Sequence, residues 1–92
     1  MLTWLWLSGN EIGNRGVEVL SNTLANHNLS LEWLFLNSNK SINDLSIDAL
    51  INMLKRNHSL KTIYINNCNL SDIAKQKLQE ITKLKKDFDL EV

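Results

Sequence analysis

Cys68, His27 and His58 are the side chains whose types could carry chemistry in this chain, and their spacing does not assemble a site. A nucleophilic thiolate needs a base or cation beside it, and no histidine neighbours Cys68 in the sequence. A metal site needs a third ligand beyond two histidines, so His27 and His58 read as solvated loop residues near Asn28 and Asn57. Gly9, Gly13 and Gly16 share one turn region but lack the pattern of a phosphate-cradling loop. Lys83, Lys85 and Lys86 read as the solvated end of a helix, where positive charge is favoured; a nuclear signal is the weaker alternative. The chain is therefore read as a non-enzyme that holds no metal and no cofactor.

Composition narrows the partner. The chain has 92 residues and 43% hydrophobic content, which suits one small folded domain rather than a disordered segment. Lys+Arg and Asp+Glu each number 10, so the net charge is zero and gives no support for a nucleic-acid or membrane partner. A single cysteine excludes an intrachain disulfide and favours a reducing, cytoplasmic location. The apolar opening from Met1 to Leu7 lacks a basic flank and is too short for a signal peptide or a membrane span. Asn-x-Ser sequons at Asn28, Asn39, Asn57 and Asn69 would accept glycans in a secreted chain. Without a leader they read as chance matches in an asparagine-rich sequence.

The elements that must position any site repeat. Leu2, Leu31 and Leu60 stand 29 residues apart, as do Leu5, Leu34 and Ile63, then Leu7, Leu36 and Ile65, then Asn10, Asn39 and Cys68. Ile12, Ile42 and Leu70 follow with a drift of one residue near Lys40. Each unit opens with alternation, Leu5-Trp6-Leu7, Leu34-Phe35-Leu36 and Ile63-Tyr64-Ile65, which reads as a strand. Each then changes to helical spacing: Val17, Leu20, Leu24; Ile47, Leu50, Leu54; Ala74, Leu78, Ile81. Small residues at Gly16, Ser46 and Ala74 allow close approach of helix to strand, and Asn43 and Ser71 stand at N-cap positions.

The pattern Leu-x-x-Leu-x-Leu-x-x-Asn/Cys-x-Leu resembles the leucine-rich repeat, and the long unit starting at Leu2 resembles the ribonuclease-inhibitor-like subclass. The resemblance covers about residues 2 to 81. It implies an α/β fold, a right-handed leucine-rich-repeat solenoid bent into a horseshoe arc, with a parallel β-sheet on the concave face and helices on the convex face. It further implies that Asn10, Asn39 and Cys68 form a buried structural ladder bonded to turn backbone. The chain is expected to be one domain, 1–92, with repeats at about 2–30, 31–59 and 60–83 and a closing strand at about 87–92. The third helix departs from the pattern, with Lys75, Lys77 and Thr82 where the first has Val17, Val19 and Leu24.

The closing segment alternates, with Phe88, Leu90 and Val92 expected inward and Asp87, Asp89 and Glu91 outward. Acidic side chains there would discourage edge pairing and form a natural cap. The first strand has no capping unit ahead of Leu2. The chain is accordingly expected to be the C-terminal part of a longer array, or to self-associate through that uncapped N-terminal edge.

Side chains flanking the core leucines must point to the opposite, concave face. One column is expected to hold Trp6, Phe35, Tyr64 and Asp89, and its neighbour Trp4, Trp33, Thr62 and Asp87; Asn37 and Asn66 lie beside them. Strands about 4.8 Å apart bring such rings into contact. Clustered Trp and Tyr next to acidic groups suit a protein partner that presents Lys or Arg. The function expected is therefore a protein-interaction module using Trp4, Trp6, Trp33, Phe35, Tyr64, Asn37, Asn66 and Asp89. The alternatives, implied by the resemblance, are a regulator of an enzyme (GTPase-activating or ribonuclease-inhibitor-like) or a structural end cap. Ring packing alone, without binding, would also account for the aromatics.

Overall fold

The computed structural model describes residues 2–27 and 30–92; the sequon at Asn28 lies outside them. The elements run β1 (Trp4–Trp6), α1 (Asn14–Asn26), β2 (Trp33–Phe35), a 3-10 turn at Asp44–Ser46 leading into α2 (Ile47–Arg56), β3 (Thr62–Tyr64), α3 (Asp72–Lys83) and β4 (Asp89–Glu91). The four strands form one parallel sheet in the order β1-β2-β3-β4. Strand and helix alternate along the chain, and α2 packs between α1 and α3. This is the leucine-rich-repeat solenoid, an α/β fold.

Alternation along each strand sends one set of side chains to the helices. Leu34, Leu36, Ile63 and Ile65 are buried there, against Val17, Leu24, Leu50, Met53, Leu54 and Leu78 from the helical layer. Burying each Leu or Ile stabilises the fold by about 1.5–3 kcal/mol, so the sheet and the helices hold each other in place. Thr82 is buried where the first repeat has Leu24, and its hydroxyl is satisfied by donating to the Gln79 carbonyl at 3.1 Å. The departure in α3 therefore leaves its inner face intact.

Helix ends differ between repeats. Asn43 accepts from the Leu45 amide at the turn before α2, and the Ser71 hydroxyl accepts from the Ala74 amide at the start of α3. Both of these helices carry an acid in the first turn and a base in the last, as the helix dipole favours. α1 has neither, and its N-cap, Gly13, offers no side-chain acceptor.

Side chains also tie each repeat to the next. Asn14 accepts from the Asn43 amide at 3.0 Å and from the Ser46 hydroxyl at 2.5 Å. Asp44 accepts from the Ser71 hydroxyl at 2.6 Å and the Ser71 amide at 2.8 Å. Those two bonds hold its carboxyl below the usual carboxylate range. Ser30 donates to the Leu2 carbonyl and Ser59 to the Leu31 carbonyl, a serine pair 29 residues apart that the sequence pattern alone did not single out.

Three rungs were expected to form a buried ladder. Asn39 is fully buried: its Nδ2 donates to the Leu7 carbonyl at 3.0 Å and the Leu36 carbonyl at 2.9 Å, and its Oδ1 accepts from the Ile12 amide. Asn10 is exposed and donates to the Leu7 carbonyl; Cys68 is half-buried, its Sγ 3.4 Å from the Leu36 carbonyl. The ladder is thus buried at its middle rung, where a repeat packs on either side. Asn57 is also buried, bonded to the Leu24 carbonyl and the Leu60 amide. Neither Asn39 nor Asn57 can present its amide to a glycosylating enzyme while folded.

A second periodic position emerges in the turns. Gly9, Ser38 and Asn67 all have positive φ, at 68°, 62° and 56°, and stand 29 residues apart. Glycine adopts this conformation freely and asparagine tolerates it, whereas serine is strained.

Ser38→Gly should raise stability by about 0.5–1 kcal/mol, since relief of the left-handed strain outweighs the added flexibility of the unfolded chain. Asn39→Ala should cost about 3 kcal/mol, because it strands buried backbone groups in two repeats, while Asn10→Ala should cost less than about 1 kcal/mol. Urea denaturation of the three variants measures all of these; equal losses at Asn10 and Asn39 would contradict the assignment of the middle rung.

Candidate functional site

The outward side chains of the strands form the candidate site. The register pairs Trp4 with Trp33 and Trp33 with Thr62, and pairs Trp6 with Phe35 and Phe35 with Tyr64. The Trp4 and Trp33 rings lie 4.5 Å apart and tilted by 46°, and Trp6 and Phe35 lie 4.7 Å apart at 36°. Phe35 and Tyr64 meet edge to face, 5.1 Å apart at 88°. These separations fall at the close end of favourable aromatic packing. The five rings therefore form two adjacent columns, Trp4–Trp33 and Trp6–Phe35–Tyr64, that make up the floor of this face.

Exposure grades along that floor. Trp4 and Trp6 are 55% and 67% exposed, whereas Trp33, Phe35 and Tyr64 are half-buried. The inner rings are locked by neighbours on both sides. The outer two keep most of their surface free.

The acidic end of the floor departs from expectation. β4 pairs Asp89 with Thr62, Leu90 with Ile63 and Glu91 with Tyr64. The ring column thus ends in Glu91, not Asp89, and the neighbouring column ends in Asp89, not Asp87. The cause is local: Asp87 has a φ of 56°, so the chain turns there and the strand starts two residues later than the spacing suggests. Asp89 and Glu91 are exposed, and Phe88, Leu90 and Val92 pack against the core.

A polar row runs beside the rings. The Ser8 hydroxyl donates to Asn37 Oδ1 at 2.5 Å. Next to it, Asn66 Oδ1 is buried and accepts no hydrogen bond among the described residues. Such an atom is costly to leave unpaired. A shallow cavity of about 330 Å³ opens here, lined by Trp6, Phe35, Asn37, Tyr64, Asn66 and Glu91. Glu91 was expected to face outward but not to end the Tyr64 column or to join the binding residues, because the shift at Asp87 is not visible in the sequence.

The residues with chemical potential stay apart. Burial pushes the Cys68 thiol up from its ordinary pKa, so its thiolate is disfavoured at neutral pH. His27 and His58 are both exposed, and among the described residues no three His, Cys, Asp or Glu side chains come together as a metal site would need. No described helix is long and apolar enough to cross a membrane.

Comparison with known proteins bears on this face. Residues 59–81 match the Leucine Rich Repeat family. The chain carries a leucine-rich repeat. Over 82 residues, 89% of its length, it is 34% identical to the NACHT, LRR and PYD domains-containing protein 3 of Bos taurus. The chain spans 8% of that relative's length. Leucine-rich repeats commonly mediate protein–protein interaction, and the matched segment includes β3, which carries Tyr64.

Cys68 should be modified by a thiol reagent at pH 8 about tenfold more slowly in the native chain than in urea, because burial both shields the sulfur and raises its pKa. Equal rates in the two states would show that the ladder position leaves the thiol open.

Proposed function

We propose that this chain is a protein-interaction module that binds a protein partner on its concave strand face. The observation that carries this reading is the aromatic floor, in which Trp4 meets Trp33, Trp6 meets Phe35 and Phe35 meets Tyr64 on the outward side of the sheet. Scattered apolar residues on a surface are ordinary, but a contiguous ring cluster is typical of interfaces. Trp and Tyr dominate the energy of such contacts because they carry large rigid surfaces at low entropic loss. Rings already packed against neighbours lose little further freedom on binding, so the floor is organised in advance.

The binding residues proposed are Trp4, Trp6, Trp33, Phe35 and Tyr64, with Asn37, Asn66 and Asp89 at the margin and Glu91 added by the register of β4. Exposed carboxylates at Asp89 and Glu91 favour a basic group at the same end. Asn39, with Asn10 and Cys68, serves as the structural ladder beneath. We assign the repeats to the ribonuclease-inhibitor-like subclass on the 29-residue period with a full helix in each unit. We take the chain to be non-enzymatic, and its single cysteine supports a cytoplasmic setting.

Affinity capture from cell extract with the chain and two variants tests the reading. Trp6→Ala and Tyr64→Ala should each reduce recovery of the same protein by about tenfold or more, as interface anchors do. Trp6→Ala should leave the urea midpoint close to the parent value, since that ring is 67% exposed. Recovery unchanged in both variants would show that the rings serve packing alone.

A further inference from the structure

A cavity of about 550 Å³ shares no lining residue with the aromatic floor. It opens where the ends of α2 and α3 meet the segments entering β3 and β4. Leu54, Leu60, Ile81 and Phe88 form its apolar wall. Leu84 stands at the lip, 84% exposed. Around this wall are Lys55, Lys61, Lys85 and Lys86, with His58, and no Asp or Glu lines the cleft.

Helix ends account for only part of this charge. Lys55 lies in the last turn of α2, where a base is favoured. Lys61 lies just ahead of β3, and Lys86 lies two residues beyond the cap of α3 at Leu84. In a chain with equal numbers of acidic and basic side chains, these cations are a local concentration. Lys85 is the most informative. Its Nζ donates to the Asn57 carbonyl at 3.1 Å and lies 5.9 Å from the Phe88 ring centroid. Burial lowers its pKa. Among the described residues, the ion pair at this cleft joins Lys61 to Glu32 at 3.1 Å, on the exposed side. Lys85 is thus drawn among apolar atoms against a neutral acceptor, which leaves a charge that a carboxylate would satisfy better.

We propose that this cleft is a second binding site, whose occupant is an acidic segment of a protein partner. An apolar side chain of that segment rests on Leu54, Leu60, Ile81 and Phe88, and its carboxylates meet Lys55, Lys61, Lys85 and Lys86. Charge complementarity selects this occupant over a fatty acid, which brings a single carboxylate to four lysines. The open lip at Leu84 also leaves a long acyl chain largely in water, where it gains little. The site shares no lining residue with the cavity on the concave face and suits the opposite charge.

The test uses a short fluorescein-labelled peptide alternating glutamate and leucine, titrated into the chain at low salt. Saturable binding is expected, with amide shifts in the isotope-labelled chain concentrated at Leu54, Leu60, Ile81, Leu84 and Phe88. A peptide with glutamine in place of glutamate should bind at least about tenfold more weakly, as should the peptide to a Lys55→Glu/Lys86→Glu variant. Both lysines are exposed, so the variant should keep the parent circular dichroism spectrum. Leu84→Asp gives a second, single-site variant with the same expectation. Trp6→Ala should bind the peptide as the parent does. The proposal is overturned by equal binding of the glutamine peptide, by undiminished binding to either cleft variant, by shifts centred on Trp4, Trp6, Trp33 and Phe35 in place of the cleft, or by absence of saturable binding. Sodium decanoate shifting the cleft residues where the peptide does not would overturn it in favour of a lipid anion.

Discussion

Strands of three residues are extended on both sides by backbone bonds between repeats, such as the Leu7 amide to the Phe35 carbonyl and the Gly9 amide to the Asn37 carbonyl. Asn39 adds a buried side-chain constraint to that register. Its amide holds the Leu7 carbonyl of one repeat and the Leu36 carbonyl of the next, while its oxygen holds the Ile12 amide. A one-residue slip would break all three bonds and send the strand leucines to the wrong face. The aromatic floor depends on the same constraint. Trp4 can meet Trp33, and Trp6 can meet Phe35, only while the strands stay aligned. A buried carboxamide with no ring contact of its own therefore helps to hold the first two strands, and the rings they carry, in register.

Most of the fold was legible because its two periods are written in apolar residues. Alternation at Leu34-Phe35-Leu36 and helical spacing at Ile47, Leu50 and Leu54 each satisfy one burial rule. The 29-residue recurrence shows that these units stack. The aromatic floor was legible for the same reason, since a residue between two buried strand positions has to face the other way. Besides the serine pair at Ser30 and Ser59, three features escaped. The shift of β4 depends on a left-handed residue at Asp87, and aspartate does not announce such a conformation as glycine would. The recurring turn at Gly9, Ser38 and Asn67 was hidden because three residue types fill one backbone role. The basic cleft brings together Lys55 and Lys61 with Lys85 and Lys86, which are joined by packing of α2 against α3 and not by any pattern along the chain.

Zero net charge conceals this segregation. Glu91 and Asp89 stand at one end of the concave floor, and the cleft beyond β4 gathers lysines without a lining acid. Net charge governs solubility and long-range attraction, but a partner at contact senses only charges within about 8–10 Å at physiological salt. A neutral total is therefore compatible with two faces of opposite preference. The segment from Lys85 to Glu91 crosses from one to the other within seven residues.

That crossing links the two faces mechanically. Phe88 packs on the core and lines the basic cleft, and the next residue begins β4, whose Glu91 closes the ring column. Lys85 is held at the cleft through Asn57, whose own side chain bonds the Leu24 carbonyl in the preceding repeat. The position of β4 thus rests on contacts made at the cleft as well as on the sheet. A repeat fold transmits such effects chiefly to nearest neighbours. A change at Lys85 or Phe88 should accordingly be felt first at Glu91 and Tyr64, and least at the Trp4–Trp33 pair two strands away.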